Sequence, residues 1–186
     1  MFYTGSRMFL TYFRNSCCNV SVWLIGAVSL SEVIYSTCIN LEVMSDLNIY
    51  FGGSISGGRE YVNRYEVFCD HLQQYGDILT EHVADPSLDS TGEDLSKKEV
   101  YERDMRLLDE ADLFIADVST PSLGVGYEVR YAEGKDIPSV VLYHEGSDHS
   151  LSGLIRGNPD VDVLRYNESD DIFDEIDSFV SEVQDK

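Results

Sequence analysis

Residues 47–59 read LNIYFGGSISGGR, and the order of elements inside them decides the fold. Leu47–Gly52 is a short apolar run closed by glycine, with the length and composition of a buried strand. A Gly/Ser-rich turn follows and feeds a helical pattern over Arg59–Tyr75, with Tyr61, Tyr65, Phe68 and Leu72 on one face and Gly76 as its stop. A strand that runs through a glycine turn into a helix begins an alternating chain, and the remaining sequence repeats the theme. Asp77–His82 predicts a second strand, Val83–Asp94 a polar loop containing Pro86 and Gly92, Leu95–Ala111 a helix, and Asp112–Val118 (DLFIADV) a third strand. Gly126–Glu133 predicts a helix closed by Gly134, and Pro138–Tyr143 a fourth strand. A short helix near Ser150–Arg156, a strand at Val161–Tyr166 and an amphipathic helix at Ser169–Gln184 complete the chain.

Strands alternating with helices through short connections pair in parallel, with helices on both faces. The expected fold is therefore α/β: a doubly wound, flavodoxin-like five-stranded parallel sheet. Ligands of such sheets bind beyond the carboxyl ends of the strands. The turns after residues 52, 82, 118 and 143 then share one rim, so motifs far apart in sequence can converge.

The 186 residues carry 13 basic and 34 acidic side chains, a net charge of −21. Residues 1–43 are neutral, with Arg7 and Arg14 against Glu32 and Glu42, so residues 44–186 hold 11 basic and 32 acidic residues and the whole excess. A field of that sign repels nucleic acid and anionic membranes, so neither is expected as a partner. The acid is dispersed and lysine is scarce, as expected of a protein adapted to a salt-rich cytoplasm, where salt screens self-repulsion. Three of the four cysteines lie in residues 1–43 (Cys17, Cys18, Cys38), and no metal-ligand spacing appears. A cytoplasmic protein without a disulfide framework, metal or cofactor is expected.

Residues 1–43 differ from the rest. The segment 20–30, VSVWLIGAVSL, reads as a secretory signal with a small-residue cleavage site at Ala27-Val28-Ser29, or as an anchor shorter than the ~20 residues a span requires. A third reading makes Met44 the true start, since charge, composition and cysteine usage all change there, and a strand begins three residues later. The expected organisation is thus a non-native or unstructured extension, 1–43, and a catalytic domain, 44–186.

Two motifs carry candidate chemistry. Gly53, Ser54, Ile55, Ser56, Gly57, Gly58 and Arg59 form a turn whose backbone N–H groups and hydroxyls lead into a helix N-terminus, where anions bind. Arg59-Glu60 replaces the Lys-Ser/Thr of a Walker loop, and the GxGxxG spacing is absent. A ligand-free strand-to-helix turn is the alternative. The second motif is PSLGVGYE at 121–128, which places Glu128 in the expected first turn of a helix. There the dipole favours the ionised form, as a nucleophile needs, although the same position also suits plain dipole compensation. Alone, Asp104 reads as a solvated helix charge, Asp117 as a side chain that points into the rim or caps the turn, Tyr50 as core, and His82, ending the second strand, as a ring facing the rim or a structural residue.

Taken together, YFGGSISGGR, LTEH (79–82), the helix with Glu102 and Asp104, PSLGVGYE and LSGLIRG (151–157) resemble the 2′-deoxynucleoside 5′-monophosphate N-hydrolases, a branch of the nucleoside 2-deoxyribosyltransferase family. The resemblance covers residues 47–166. It implies that Glu128 attacks C1′ of the deoxyribose to give a covalent phosphodeoxyribosyl enzyme, that Asp104 helps protonate the departing base, and that Tyr50 orients the nucleophile. It further implies a phosphate site from Gly53 to Arg59 with Ser122, and a nucleotide pocket lined by Tyr65 and His82. Ser152, with Gly153 and Leu154, would complete the phosphate site of a neighbouring subunit in a homodimer. At Ser56 the family pattern has an arginine that helps bind the phosphate. The implied activity is hydrolysis of deoxynucleoside 5′-monophosphates to free base and 2-deoxyribose 5-phosphate. The rivals are base exchange by a deoxyribosyltransferase and a non-catalytic nucleotide-binding module.

Overall fold

Alternation along Leu47–Gly52 (β1) sends Leu47, Ile49 and Phe51 to one side of the sheet and Tyr50 to the other, and all four are buried. The computed structural model describes residues 47–89 and 91–185; the expectations for residues 1–43 and for a start at Met44 lie outside them. After β1 come α1 (Val62–Leu72), β2 (Gly76–Ile78), a 3₁₀ turn (Glu81–Ala84), α2 (Lys97–Glu110) and β3 (Leu113–Asp117). The second half contains α3 (Leu123–Gly134), β4 (Ser139–His144), α4 (Gly153–Arg156), β5 (Asp162–Tyr166), a 3₁₀ turn (Ser169–Ile172) and α5 (Phe173–Gln184).

The five strands are parallel, in the order β2-β1-β3-β4-β5, which is the doubly wound flavodoxin-like arrangement. One face packs Ile49, Phe51, Leu113, Ile115, Val140 and Leu142 under α1 and α5. The other packs Tyr50, Phe114, Ala116 and Val141 against Leu108 of α2 and Val125, Val129 and Ala132 of α3. Among the described residues no helix is long and apolar enough to cross a membrane.

Several boundaries differ from expectation. The second strand ends at Ile78 instead of His82, because the Thr80 hydroxyl accepts from Phe51 N (2.9 Å) and donates to Phe51 O (2.7 Å). A side chain thus takes over the ladder positions of a strand, and the backbone turns away with His82 in the 3₁₀ turn. The first helix starts at Val62, and Gly76 opens β2 instead of merely stopping the helix. The helix of PSLGVGYE starts at Leu123, three residues early, because Ser122 caps it by accepting from Val125 N at 3.3 Å.

Candidate active site

The three candidate catalytic residues meet on the α2/α3 face of the sheet, at the carboxyl end of β1. Tyr50 stacks on Phe114 of β3, with ring centroids 5.7 Å apart. Helical periodicity puts Glu128 on the inward stripe of α3 with Val125, Val129 and Ala132, and puts Asp104 one turn before buried Leu108 on α2. Gly52 makes room for the carboxylate: a Cβ there would sit 3.2 Å from Glu128 Oε2 and 3.0 Å from Ala116 Cβ. Tyr50, Asp104 and Glu128 line one cavity of about 100 Å³. Gly53, Ile55 and Ser56 border it from the loop after β1, and His82 and Val83 from the turn after β2. Thr91, Gly92 and Glu93 border it from the loop before α2, and Lys97, Val100 and Arg103 from α2 itself.

Burial pushes the Glu128 carboxyl up to about 7, and the nearby Asp104 adds to the rise. The Tyr50 hydroxyl, as a donor facing the carboxylate, and the positive charge of Arg103 act in the opposite direction. This departs from the dipole expectation. The helix begins at Leu123, so Glu128 stands in its second turn, where the terminal dipole has faded and desolvation dominates. Burial, Glu128 and Asp104 all keep the Tyr50 phenol protonated, so it faces the carboxylate as a donor. Asp104 accepts from Arg103 Nε at 2.9 Å, and the same guanidinium donates through a second nitrogen to Glu93. His82 Nε2 lies 3.8 Å from Glu93 Oε2. Burial, then Arg103, pushes the His82 imidazole below its ordinary range, which leaves it neutral at pH 7.

The glycine loop is built differently from its motif. Arg59 donates to the carbonyls of Val83 (2.8 Å), Asp85 (2.6 Å) and Ser54 (3.4 Å), so it ties this loop to the turn after β2 and does not offer its charge to the cavity. Gly58 has φ +134°, a left-handed conformation suited to glycine. At Gly57 a Cβ would lie 2.5 Å from the Pro121 carbonyl oxygen, so the first and third rim loops touch. The Ser54 hydroxyl is fully buried and has no hydrogen-bond partner among the described residues. Tyr65 packs beneath Gly53, and its hydroxyl accepts from Ser54 N at 3.3 Å, so it supports the loop from the opposite face of the sheet. Ser152 precedes α4, and Ser152, Gly153 and Leu154 are exposed and outside this cavity. Asp117 also faces away, accepting from Tyr166 Oη (2.5 Å) and Ser119 N (2.9 Å).

The family model described as nucleoside 2-deoxyribosyltransferase matches residues 49–173, which includes every element that lines the cavity. The chain belongs to the nucleoside 2-deoxyribosyltransferase family. A Syntrophotalea carbinolica protein named as a 2′-deoxynucleoside 5′-phosphate N-hydrolase is 40% identical over 121 residues, 65% of this chain and 85% of that protein. A Danio rerio 5-hydroxymethyl-dUMP N-hydrolase is 45% identical over 112 residues, 60% of this chain and 78% of that protein. The solved structure of the Clostridium botulinum CMP N-glycosidase BcmB superposes with a TM-score of 0.53 at 20% identity, covering 70% of this chain and 98% of that one. The solution structure of BlsM gives 0.58 at 19% identity, covering 76% and 94%. Both share the fold.

Within this nucleoside 2-deoxyribosyltransferase family member, sequence reasoning missed Arg103, Glu93 and Lys97, which sit among many charges and carry no motif. A usable signal existed. Ser96 and Glu99 form a capping box that fixes where α2 begins. From that start, Val100, Arg103 and Asp104 fall at i, i+3 and i+4 on one face.

Proposed function

We propose that the protein hydrolyses the N-glycosidic bond of 2′-deoxynucleoside 5′-monophosphates, releasing a free base and 2-deoxyribose 5-phosphate. The observation that carries this reading is a partly buried carboxylate, Glu128, facing one small cavity with a phenol and a second carboxylate. The names of relatives at 40–45% identity supply the substrate class.

The chemistry is a double displacement through an oxocarbenium-like state. Ionised Glu128 attacks C1′ as the C1′–N bond breaks. The electron pair leaves with the base, which takes a proton from the Asp104 carboxyl. Water then attacks C1′ and returns a proton to Asp104, and Glu128 leaves as the carboxylate. Tyr50, whose phenol stays protonated beside Glu128, would donate to the carboxylate and orient it. A 2′-deoxy sugar lacks the hydroxyl that would destabilise the cation, so no metal or cofactor is invoked.

The 5′-phosphate would lie on the Gly53–Gly58 backbone with the Ser54 and Ser122 hydroxyls, and His82 would border the base. Ser56 brings no charge and Arg59 is occupied by carbonyls. Lys97 borders the same cavity as Ser56 and makes no ion pair among the described residues, so it is the cation available to the phosphate. The chain would act as a homodimer, with Ser152, Gly153 and Leu154 completing the partner's phosphate site. The exposure of Leu123 (97%) and Leu154 (89%), with exposed Tyr101 and Tyr127, supports such an association.

The test is base release from dGMP, dAMP, dCMP and dTMP, each compared with its nucleoside, with and without an excess of a second free base. Base release without exchange is expected, together with a KM for monophosphates that rises severalfold in Lys97→Ala while that for nucleosides stays put. Base-exchanged product would make the protein a transferase; ligand binding without base release would make it a binding module.

A further inference from the structure

We propose that Arg103 is a positioning residue that couples the loop before α2 to the Asp104–Glu128 carboxylate pair. One guanidinium then governs both the wall of the cavity and the charge of the nucleophile. The inference rests on the N-hydrolase reading only for its catalytic consequence.

The geometry is a fork. Arg103 is 21% exposed, and its Nε donates to Asp104 beside it on α2 while a terminal nitrogen donates to Glu93 in the preceding loop. Planar guanidinium donors point in fixed directions, so the two carboxylates are held at a set angle that a lysine would not reproduce. Glu93 also approaches His82, so His82, Glu93, Arg103 and Asp104 run in sequence along one wall. Arg59 reaches the start of this loop at the Asp85 carbonyl, and the loop's other hydrogen bonds among the described residues are local: Ser87 N donates to the Asp85 carboxylate, Leu88 N to the Asp85 carbonyl, Thr91 N to the Asp89 carboxylate and Gly92 N to the Asp89 carbonyl. Glu93 is therefore what fastens its centre to α2. On the other side of the fork, Tyr50 from β1 and Asp104 and Arg103 from α2 act on Glu128, while His82, Glu93 and Lys97 line the same cavity. Among the described residues, Arg103 is the cation that acts on Glu128. Removing it takes away the charge that favours ionised Glu128 and releases the loop in a single step.

The test uses full-length Arg103→Gln, Arg103→Lys and Glu93→Gln proteins and two readouts that need no turnover. The first is the titration of the Glu128 carboxyl by carbon-13 NMR, its signal assigned by its loss in Glu128→Gln. The second is hydrogen exchange at the amides of residues 91–95. In Arg103→Gln the Glu128 midpoint should move to higher pH and loop exchange should accelerate by about tenfold or more. In Glu93→Gln the loop should be released equally, while the midpoint stays or moves to lower pH because a carboxylate has been removed. Arg103→Lys should keep the midpoint near that of the native protein and still release the loop. A midpoint that stays or falls in Arg103→Gln, or loop exchange unchanged in both neutral variants, would overturn the inference. Wild-type protein that fails to release base from deoxynucleotides would sink the N-hydrolase reading and leave these two measurements intact. Where base release is seen, the acid limb of kcat/KM should follow the Glu128 midpoint from variant to variant.

Discussion

Glu128 combines two demands that oppose each other. As the proposed nucleophile it must be ionised, yet its surroundings favour the proton and raise its pKa from 4.5 to about 7. A carboxyl raised on folding contributes stability that is complete below about pH 4.5 and lost as the pH rises through about 7. That loss reaches roughly 3 kcal/mol by pH 8. Glu128→Gln carries no such charge, so it should be more stable than the native protein at pH 8 and lose this advantage toward pH 4.5, as read from urea denaturation across that range. Identical pH profiles for the two proteins would contradict the burial of a charge here. The same titration places the acid limb of base release near pH 7, since the protonated form cannot attack.

At the scale of elements, most of the architecture was legible because the apolar runs are short, glycine-bounded and β-rich. β1 follows the expected span to the residue, and β3 and β4 lie within one or two residues of theirs. The misses share a physical form: a hydroxyl doing a backbone's work. Thr80 looks like a strand residue, and its side chain, by bonding Phe51, ends the strand. Ser122 looks like part of a loop, and by capping α3 it turns Gly124 and Gly126 into helix and moves Glu128 to the second turn. The site divides along the same line. Tyr50, Asp104 and Glu128 could be found because they recur in a recognisable order. The role of Arg59 could not, because what a guanidinium binds depends on carbonyls from another rim loop. Arg103 stayed hidden for a similar reason: its partner Glu93 lies in an irregular loop whose path no periodicity reveals.

At the scale of the whole molecule, a net charge of −21 on 186 residues sets the conditions under which this sheet is stable. The excess is dispersed, so self-repulsion is spread over the surface and weakens as salt shortens the screening length from ~10 Å at 0.1 M to ~3 Å at 1 M. Thermal melting should therefore shift to higher temperature as KCl rises over that range. A melting temperature that falls with KCl would remove the salt-adapted reading while leaving the active site untouched. The carboxylate pair is partly buried beside Tyr50 and Arg103, where screening is weaker than at the surface, so the chemistry itself should depend less on salt. The most direct measurement of the central claim is base release from deoxynucleoside 5′-monophosphates by Glu128→Ala, with circular dichroism as a control for the fold. A loss of roughly a thousandfold or more in kcat with the fold intact is the predicted result, and undiminished turnover would contradict Glu128 as the nucleophile.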